Sequence, residues 1–352
     1  MTAGLEKGLG CPAPRADLER VQLGHGSGGK MSAALLERCF LPHLANDTLS
    51  PLGDAAVFQA PAAELAFSTD TFVVHPLEFP GGDIGSLAVH GTVNDLAMMG
   101  ATPRYLSVGF VLEEGLEIAV LERIVRSLAR AALECGVPIA TGDTKVVERG
   151  QCDGLYLNTA GIGAMQPGFA PRPALARAGD VIIVSGPLGR HGMAIMAARE
   201  GLQFEAEIQS DSAPLHQLVA ALREAVGEAI HVMRDPTRGG VASALNEIAA
   251  TAGVGMVLEE RVVPIPGPVE AACEMLGLDP LYVANEGLLV ALIAADAAGS
   301  ALEVMRAHPV GAEAVAIGRV VDDHPGLVVL DTRIGGRRVV DMLPGDQLPR
   351  IC

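Results

Sequence analysis

The chain has no tryptophan, and aromatic residues make up only 3% of its 352 positions. Any core must therefore be assembled from Ala, Val, Leu, Ile and Met. Hydrophobic residues at 49% and charged ones at 19% supply the material for a large one, which excludes wholesale disorder. Positive charge is scarce too: 25 Lys and Arg face 42 Asp and Glu, a net charge of -17. General nucleic-acid binding needs a basic footprint and is excluded. An anionic substrate would need a cation or a local basic pocket. Long apolar runs are missing. Gly287 to Ala295 is short and Asp296 follows it, so no membrane span is expected. Met1 to Arg20 lacks an apolar run of signal-peptide type,. The six cysteines include no CxxC pair and the nine histidines no HxxxH pair. A disulfide frame and a structural zinc site are thereby unsupported, and reduced thiols in a cytoplasmic protein are expected.

What is there includes a cysteine at the last position, in Leu348-Pro349-Arg350-Ile351-Cys352. A thiol at a free end can be threaded into a narrow site, loaded and swung out again. Chance placement is the competing reading. The approach, with Pro344, Gly345 and Pro349, has no periodicity,. About twelve residues from Asp341 onward could extend on the order of 40 Å.

The length suits two domains. We expect a leader at 1–20, an N-terminal domain at 21–165, a Pro-rich linker at 166–179, a C-terminal domain at 180–336 and a tail at 337–352, with a strand-like Arg337 to Val340 at its start. Strands are expected at Val21 to Leu23, Leu65 to Ser68, Tyr105 to Leu112, Leu155 to Gly163, Asp180 to Ser185, Gly255 to Leu258, Leu288 to Ile293, Ala314 to Val321 and Leu327 to Leu330. Helical spacing runs through Gly85 to Met99, Glu117 to Glu134, His191 to Glu200, Leu215 to Ala225 and Gly239 to Ala252. The clearest stripe is Ile118, Leu121, Val125, Leu128 and Ala132, closed by Gly136 and Pro138,. Both halves mix strands and helices, which predicts two α/β or α+β domains.

Gly24-His25-Gly26-Ser27-Gly28-Gly29-Lys30 fits the spacing of a phosphate loop, but Met31 stands where that motif needs Ser or Thr,. The segment is either a glycine-rich cradle of backbone N–H groups or a surface loop. A set of acids at strand ends and turns is more informative: Asp54, Asp70, Asn94-Asp95, Asp143 within Thr141-Gly142-Asp143-Thr144-Lys145, and Asp235 ahead of Thr237-Arg238-Gly239-Gly240. Singly, each is a turn or N-cap aspartate. Together they are hard oxygen donors that could carry magnesium and, through it, a polyphosphate. Lys145 could face a phosphate or a substrate carbonyl, or simply be a surface lysine. Glu286, ahead of an apolar strand, reads by itself as a loop carboxylate.

These blocks resemble the HypE family, the carbamoyl dehydratases of [NiFe]-hydrogenase maturation. The resemblance is carried by His25-Gly26-Ser27-Gly28-Gly29, Phe67-Ser68-Thr69-Asp70, Phe79-Pro80-Gly81-Gly82, Asn94-Asp95, Pro103 to Ser107, Phe110 to Gly115, Thr141 to Val147, Asn158 to Gly161, Thr237 to Gly240, Ala284 to Gly287 and the Pro349-Arg350-Ile351-Cys352 tail. It covers the chain from about residue 20 onward. Asp54 is followed by Ala55, where members of the wider superfamily commonly pair two acids.

The resemblance implies a two-domain fold like that of aminoimidazole ribonucleotide synthetase and a homodimer formed by the N-terminal domain. It also implies ATP with magnesium in a cleft, a carbamoyltransferase (HypF) and an iron-bearing HypC–HypD scaffold as partners, and neither nucleic acid nor membrane. Carried over residue by residue, it makes Cys352 the carbamoyl acceptor, Lys145 the cation on the reacting group and Glu286 the base. His25, Gly26, Ser27, Gly28, Gly29, Asp70, Asn94, Asp95, Thr141, Gly142, Asp143, Asp235 and Arg238 become the ATP residues, and Asp54, Asp70, Asp95 and Asp143 the metal ligands. The expected reaction is ATP-dependent conversion of an S-carbamoyl group to a thiocyanate, the source of the hydrogenase cyanide ligand. Two alternatives stay open: another ATP enzyme of the superfamily acting on a small substrate, which would not need Cys352, and a non-enzymatic cysteine carrier, which would not need the aspartates.

Overall fold

The computed structural model describes residues 19–27, 30–50, 52, 56, 58–60, 62–202, 207–342, 348 and 350–352. Asp54, Gly28, Gly29 and most of the expected leader lie outside them.

The N-terminal half runs α1 (Lys30–Leu35), a π-type segment Leu36–Phe40, α2 (Leu41–Leu44), β1 (Leu65–Phe72), β2 (Glu78–Phe79), β3 (Gly82–Asp83), α3 (Ile84–Met98), β4 (Ala101–Glu113), α4 (Ile118–Cys135), β5 (Ile139–Val147) and β6 (Leu155–Met165). Among the described residues, four strands form a sheet in the order β1-β6-β4-β5, with β4 and β5 parallel and the other pairs antiparallel. Alternation divides its faces. Leu106, Val108, Phe110 and Leu112 of β4 point inward, while Gly109 and Val111 are partly accessible. α4 seals the inner face with the stripe expected from its spacing, and Gly136 at φ +66° closes it in the left-handed region,. α3 is buried on nearly every side and shows no stripe. Its N-terminus is held by the Asp83 carboxylate, which accepts the Gly85 and Ser86 N–H groups at 2.7 and 3.0 Å,. The outer face of the sheet carries Phe67, 70% exposed.

The C-terminal half runs β7 (Val181–Val184), α5 (Arg190–Glu200), α6 (His216–Val226), β8 (Ile230–Arg234), α7 (Gly240–Ala252), β9 (Gly255–Glu259), α8 (Gly267–Leu276), β10 (Val290–Ile293), α9 (Ala298–Ala307), β11 (Val315–Val321), β12 (Val328–Asp331) and β13 (Arg337–Val340). Its mixed sheet, ordered β13-β12-β9-β11-β7-β10-β8, has a separate apolar cluster on each face. The mostly antiparallel pairing makes both halves α+β. Arg337–Val340 is the edge strand of this sheet, paired with β12, so the tail leaves the sheet only after Val340.

Three expectations need correction. Val21 to Leu23 is not a strand; Leu23–Gly26 is a turn of 3-10 helix, because the His25 ring folds back to accept the Gln22 N–H at 2.9 Å. Strand β5, which carries Asp143 and Lys145, the short strands β2, β3 and β8, and helices α2, α8 and α9 went unpredicted. The tail is not outside the core. Leu348 and Ile351 are buried in a cluster that also holds Met193, Val269 and Val283 of the C-terminal half and Phe72 and Ile84 of the N-terminal half.

Candidate active site

The tail is anchored at the end of β1. The Cys352 main-chain oxygen accepts the Val73 N–H at 3.0 Å, and the Arg350 carbonyl accepts the His75 N–H at 3.3 Å. Arg199, from the last turn of α5, donates to that same carbonyl at 2.6 Å. The Arg350 guanidinium forms an ion pair with Asp153. Arg350 itself sits at φ +58°, in the left-handed region. Ile351 is 2% exposed, and Cys352 is partly accessible. Val73 is three residues beyond Asp70, about 10 Å along an extended chain.

Asp70 begins a group of carboxylates near enough to feel one another's charge where the two halves join. Asp95, on α3, accepts from the Ser68 hydroxyl at 2.6 Å. Asp235 follows β8, and Glu286 precedes β10. Burial raises all four above the usual carboxylate range, and mutual repulsion adds to it for Asp95, Asp235 and Glu286,. Asp235 is pushed up to about 7 by burial, then by Asp95 and Asp70. Glu286 is pushed well up by burial, then by Asp235, Asp211, Asp70 and Asp95. It is 2% exposed, and its Oε1 has no hydrogen-bond partner. The Thr71 N–H that Asp70 accepts at 2.8 Å, and after it the Arg238 charge, pull Asp70 back down against burial.

Asn94 lies beside this group, but its bonds tie the two halves together. Its Nδ2 donates to the Ala213 carbonyl at 3.0 Å and the Glu286 carbonyl at 3.3 Å, and its Oδ1 accepts the Leu215 N–H at 2.8 Å.

Lys145 and Asp143 are elsewhere in the chain. Both stand exposed on β5, ion-paired to each other at 2.9 Å. β1 and β5 are opposite edges of the sheet, three strand spacings or about 14 Å apart. A single chain therefore seats Cys352 just past the end of the strand that bears Asp70, and leaves Lys145 and Asp143 across the sheet. The β5 group lines a second feature, a cavity of about 470 Å³ walled by His25, Gly26, Thr141, Gly142, Asp143 and Lys145 and floored by Phe40, Val108 and Phe110. Gly26 lies tight against β5, since a Cβ on it would meet the Val146 amide nitrogen at 2.8 Å. Ser27 closes the turn, its hydroxyl donating to the Gly24 carbonyl at 2.8 Å.

The donor set is right in kind for magnesium, being hard carboxylate oxygen. Among the described residues no three His, Cys, Asp or Glu side chains converge as a ligand set. One chain thus presents carboxylates without a complete cage, in line with magnesium's habit of taking one or two protein carboxylates and filling its shell with phosphate and water.

Sequence reasoning missed the segment Ser210-Asp211-Ser212. Asp211 accepts the Glu286 N–H at 3.3 Å and the Gly287 N–H at 3.2 Å. A side chain on Gly287 would collide with the Asp211 carbonyl oxygen, so only glycine permits this approach. An acid between two serines just ahead of a helix was a signal available in the sequence. His191 and His90, each held by one of these serines, gave no local signal.

The chain matches two family models, the AIR synthase related protein N-terminal domain over residues 52–165 and its C-terminal domain over residues 177–330. It is 54% identical to the carbamoyl dehydratase HypE of Cupriavidus necator over 334 residues, 95% of each chain. It is 44% identical to the Escherichia coli protein of the same name over 340 residues, 95% of this chain and all of the other. A crystal structure of the hydrogenase maturation protein HypE in complex with ATP superposes with a TM-score of 0.90 at 50% identity, covering 94% of this chain and 99% of that one. A HypE–HypF complex superposes at 0.77 with 46% identity, covering 88% and 100%. With two matched domains and near-complete coverage by these relatives, the chain belongs to the HypE family of carbamoyl dehydratases, proteins of hydrogenase maturation.

Proposed function

We propose that this chain uses ATP to convert an S-carbamoyl group on Cys352 into a thiocyanate, which then supplies the cyanide ligand of a [NiFe]-hydrogenase iron centre. The observation that carries the reading is the seat of the tail: Ile351 is buried and Cys352 rests where β1 ends, on the strand that bears Asp70. ATP as substrate is supported by the relative solved with ATP bound, and HypF as the source of the carbamoyl group by the HypE–HypF complex. A HypC–HypD scaffold is the proposed receiver of the cyanide.

The chemistry removes the elements of water. In S–CO–NH2 the carbonyl oxygen is a poor leaving group. Transfer of the γ-phosphoryl of ATP to that oxygen gives ADP and makes the oxygen part of a phosphate. Loss of both N–H protons and departure of phosphate leaves S–C≡N. Positioning and charge stabilisation do most of the work in such a transfer. Magnesium would neutralise charge on the phosphates, with Asp70 and Asp95 as its nearest proposed carboxylates. Glu286, buried and with its proton affinity raised by burial first, is the proposed base,. The enclosure that buries it also keeps water from a hydrolysable intermediate.

Lys145, proposed to stabilise the transferring phosphoryl group, is at the far edge of the sheet in its own chain. We propose that the outer sheet face bearing Phe67 is a homodimer interface, which would set Lys145 of one copy against the face of another. Intact-mass measurement with HypF, a carbamoyl donor and ATP tests the reaction. The wild-type chain should gain a carbamoyl mass and then lose 18 Da as ATP is consumed, and Cys352→Ala should gain nothing. An adduct on Cys352→Ala, or no mass change on wild type, would overturn the proposal.

A further inference from the structure

His191 lies on α5, in the C-terminal half, and is completely buried. Its Nε2 is 2.5 Å from the Ile351 carbonyl oxygen, the carbonyl of the peptide bond that leads into Cys352. Its Nδ1 is 2.8 Å from the Ser210 hydroxyl. That hydroxyl also accepts the Ser212 N–H at 3.1 Å. Between the two serines, Asp211 holds the Glu286 backbone. One short segment therefore touches the ring that grips the tail and the loop that carries the buried glutamate.

The ring's proton placement follows from its partners. A carbonyl oxygen only accepts, so Nε2 carries the hydrogen. Burial pushes the His191 pKa down to about 4, so the ring is neutral at physiological pH and Nδ1 must accept. Ser210 is then the donor to Nδ1, and its lone pairs remain available for the Ser212 N–H. From the Ser212 N–H to the Ile351 carbonyl, each donor is thus matched to an acceptor. The edge of the Phe79 ring, 5.6 Å away between centroids and nearly perpendicular, fixes the imidazole plane,.

We propose that His191 is a positioning residue: held as its Nε2–H tautomer by Ser210, it fixes the Ile351 carbonyl and thereby seats Cys352 at the end of β1. The proposal rests on Cys352 being the reactive residue, but its test is independent of the carbamoyl chemistry. The seated thiol is only partly accessible and the released thiol should be fully open, so the rate of Cys352 alkylation by iodoacetamide reports the seat. Peptide mass analysis separates Cys352 from the other cysteines.

In the full-length chain, His191→Phe keeps a flat ring but loses the donor, and should speed Cys352 alkylation about tenfold, the scale of one lost hydrogen bond to a buried carbonyl. His191→Gln can place an amide N–H near the position of Nε2 and should stay within about twofold of wild type. Equal acceleration in both variants would mean that His191 acts only through packing and would overturn the proposal, as would a wild-type rate in His191→Phe. If neither variant folds, the wild-type chain still decides. A nitrogen-15 spectrum with an assigned His191 ring should show Nε2 protonated and Nδ1 accepting, and the opposite tautomer would refute the inference. Should the carbamoyl experiment fail while these results hold, the seat stands and only the reaction assigned to it falls.

Discussion

Asp211 grips the backbone of Glu286 and at the same time repels its side chain. The Asp211 carboxylate accepts the N–H groups of Glu286 and Gly287 at 3.3 and 3.2 Å, while its charge adds to the burial that raises the Glu286 pKa. The glutamate is thereby fixed in place while its ionised form is disfavoured. This is a costly arrangement for stability and a useful one for proton transfer.

That cost can be measured. The Asp235 and Glu286 carboxyls lie above their ordinary values, so the folded chain holds protons that the unfolded chain releases. Their contribution is complete below the ordinary carboxylate pKa of about 4 and is lost as pH rises, through about 7 for Asp235,. Glu286→Gln should therefore raise the melting temperature by about 2–4 °C at pH 8, and by less at pH 5.5. Calorimetry showing the same difference at both pH values would remove the electrostatic explanation.

The same substitution separates the chemical steps. Glu286→Gln should still bind ATP and accept the carbamoyl group, and the carbamoylated chain should accumulate without losing 18 Da. Dehydration at the wild-type rate would assign the base elsewhere. Lys145→Ala should also lose dehydration, with nucleotide binding only modestly reduced.

Nucleotide binding should depend on both groups of acids. Asp95→Ala and Asp143→Ala should each weaken ATP affinity at least tenfold by titration calorimetry with magnesium present, and shift the melting temperature little. Unchanged affinity in both would disconnect ATP from these acids.

Phe67→Glu places a charge on the outer sheet face, where Phe67 is 70% exposed. Light scattering at micromolar concentration should find a dimer for wild type and a monomer for the variant. If wild type itself is monomeric, the interface is wrong.

Much of the architecture is legible because its signals are local. The Ile118 to Ala132 stripe marks α4, and Gly136 marks its end. Long apolar strands such as Leu155–Met165 announce themselves, though their ends shift by a few residues. β8 is harder: Ile230-His231-Val232-Met233-Arg234 is short and interrupted by a histidine whose ring meets Asp180 inside the fold. The site is legible as a list of residues and not as a place. Nothing near Asp70 and Asp143 says that they stand on opposite edges of one sheet, because strand order is set by long-range pairing. Asn94 stands within the expected acidic motif, yet its three hydrogen bonds go to backbone about 120 to 190 residues away. His191 meets Ile351 across 160 residues. Neither partnership has a local trace.

Arg350 has one more consequence. A side-chain-bearing residue at φ +58° occupies a conformation that costs about 1–2 kcal/mol. The bend directs its carbonyl to Arg199 and His75, and buried Ile351 offsets the cost. The anchorage is thus sprung: part of what holds the end of the chain down is spent against its own backbone, and that part is returned when it lifts. For an end proposed to be loaded by one protein and unloaded by another, such a balance is fitting, secure enough to pause in its seat and strained enough to leave it.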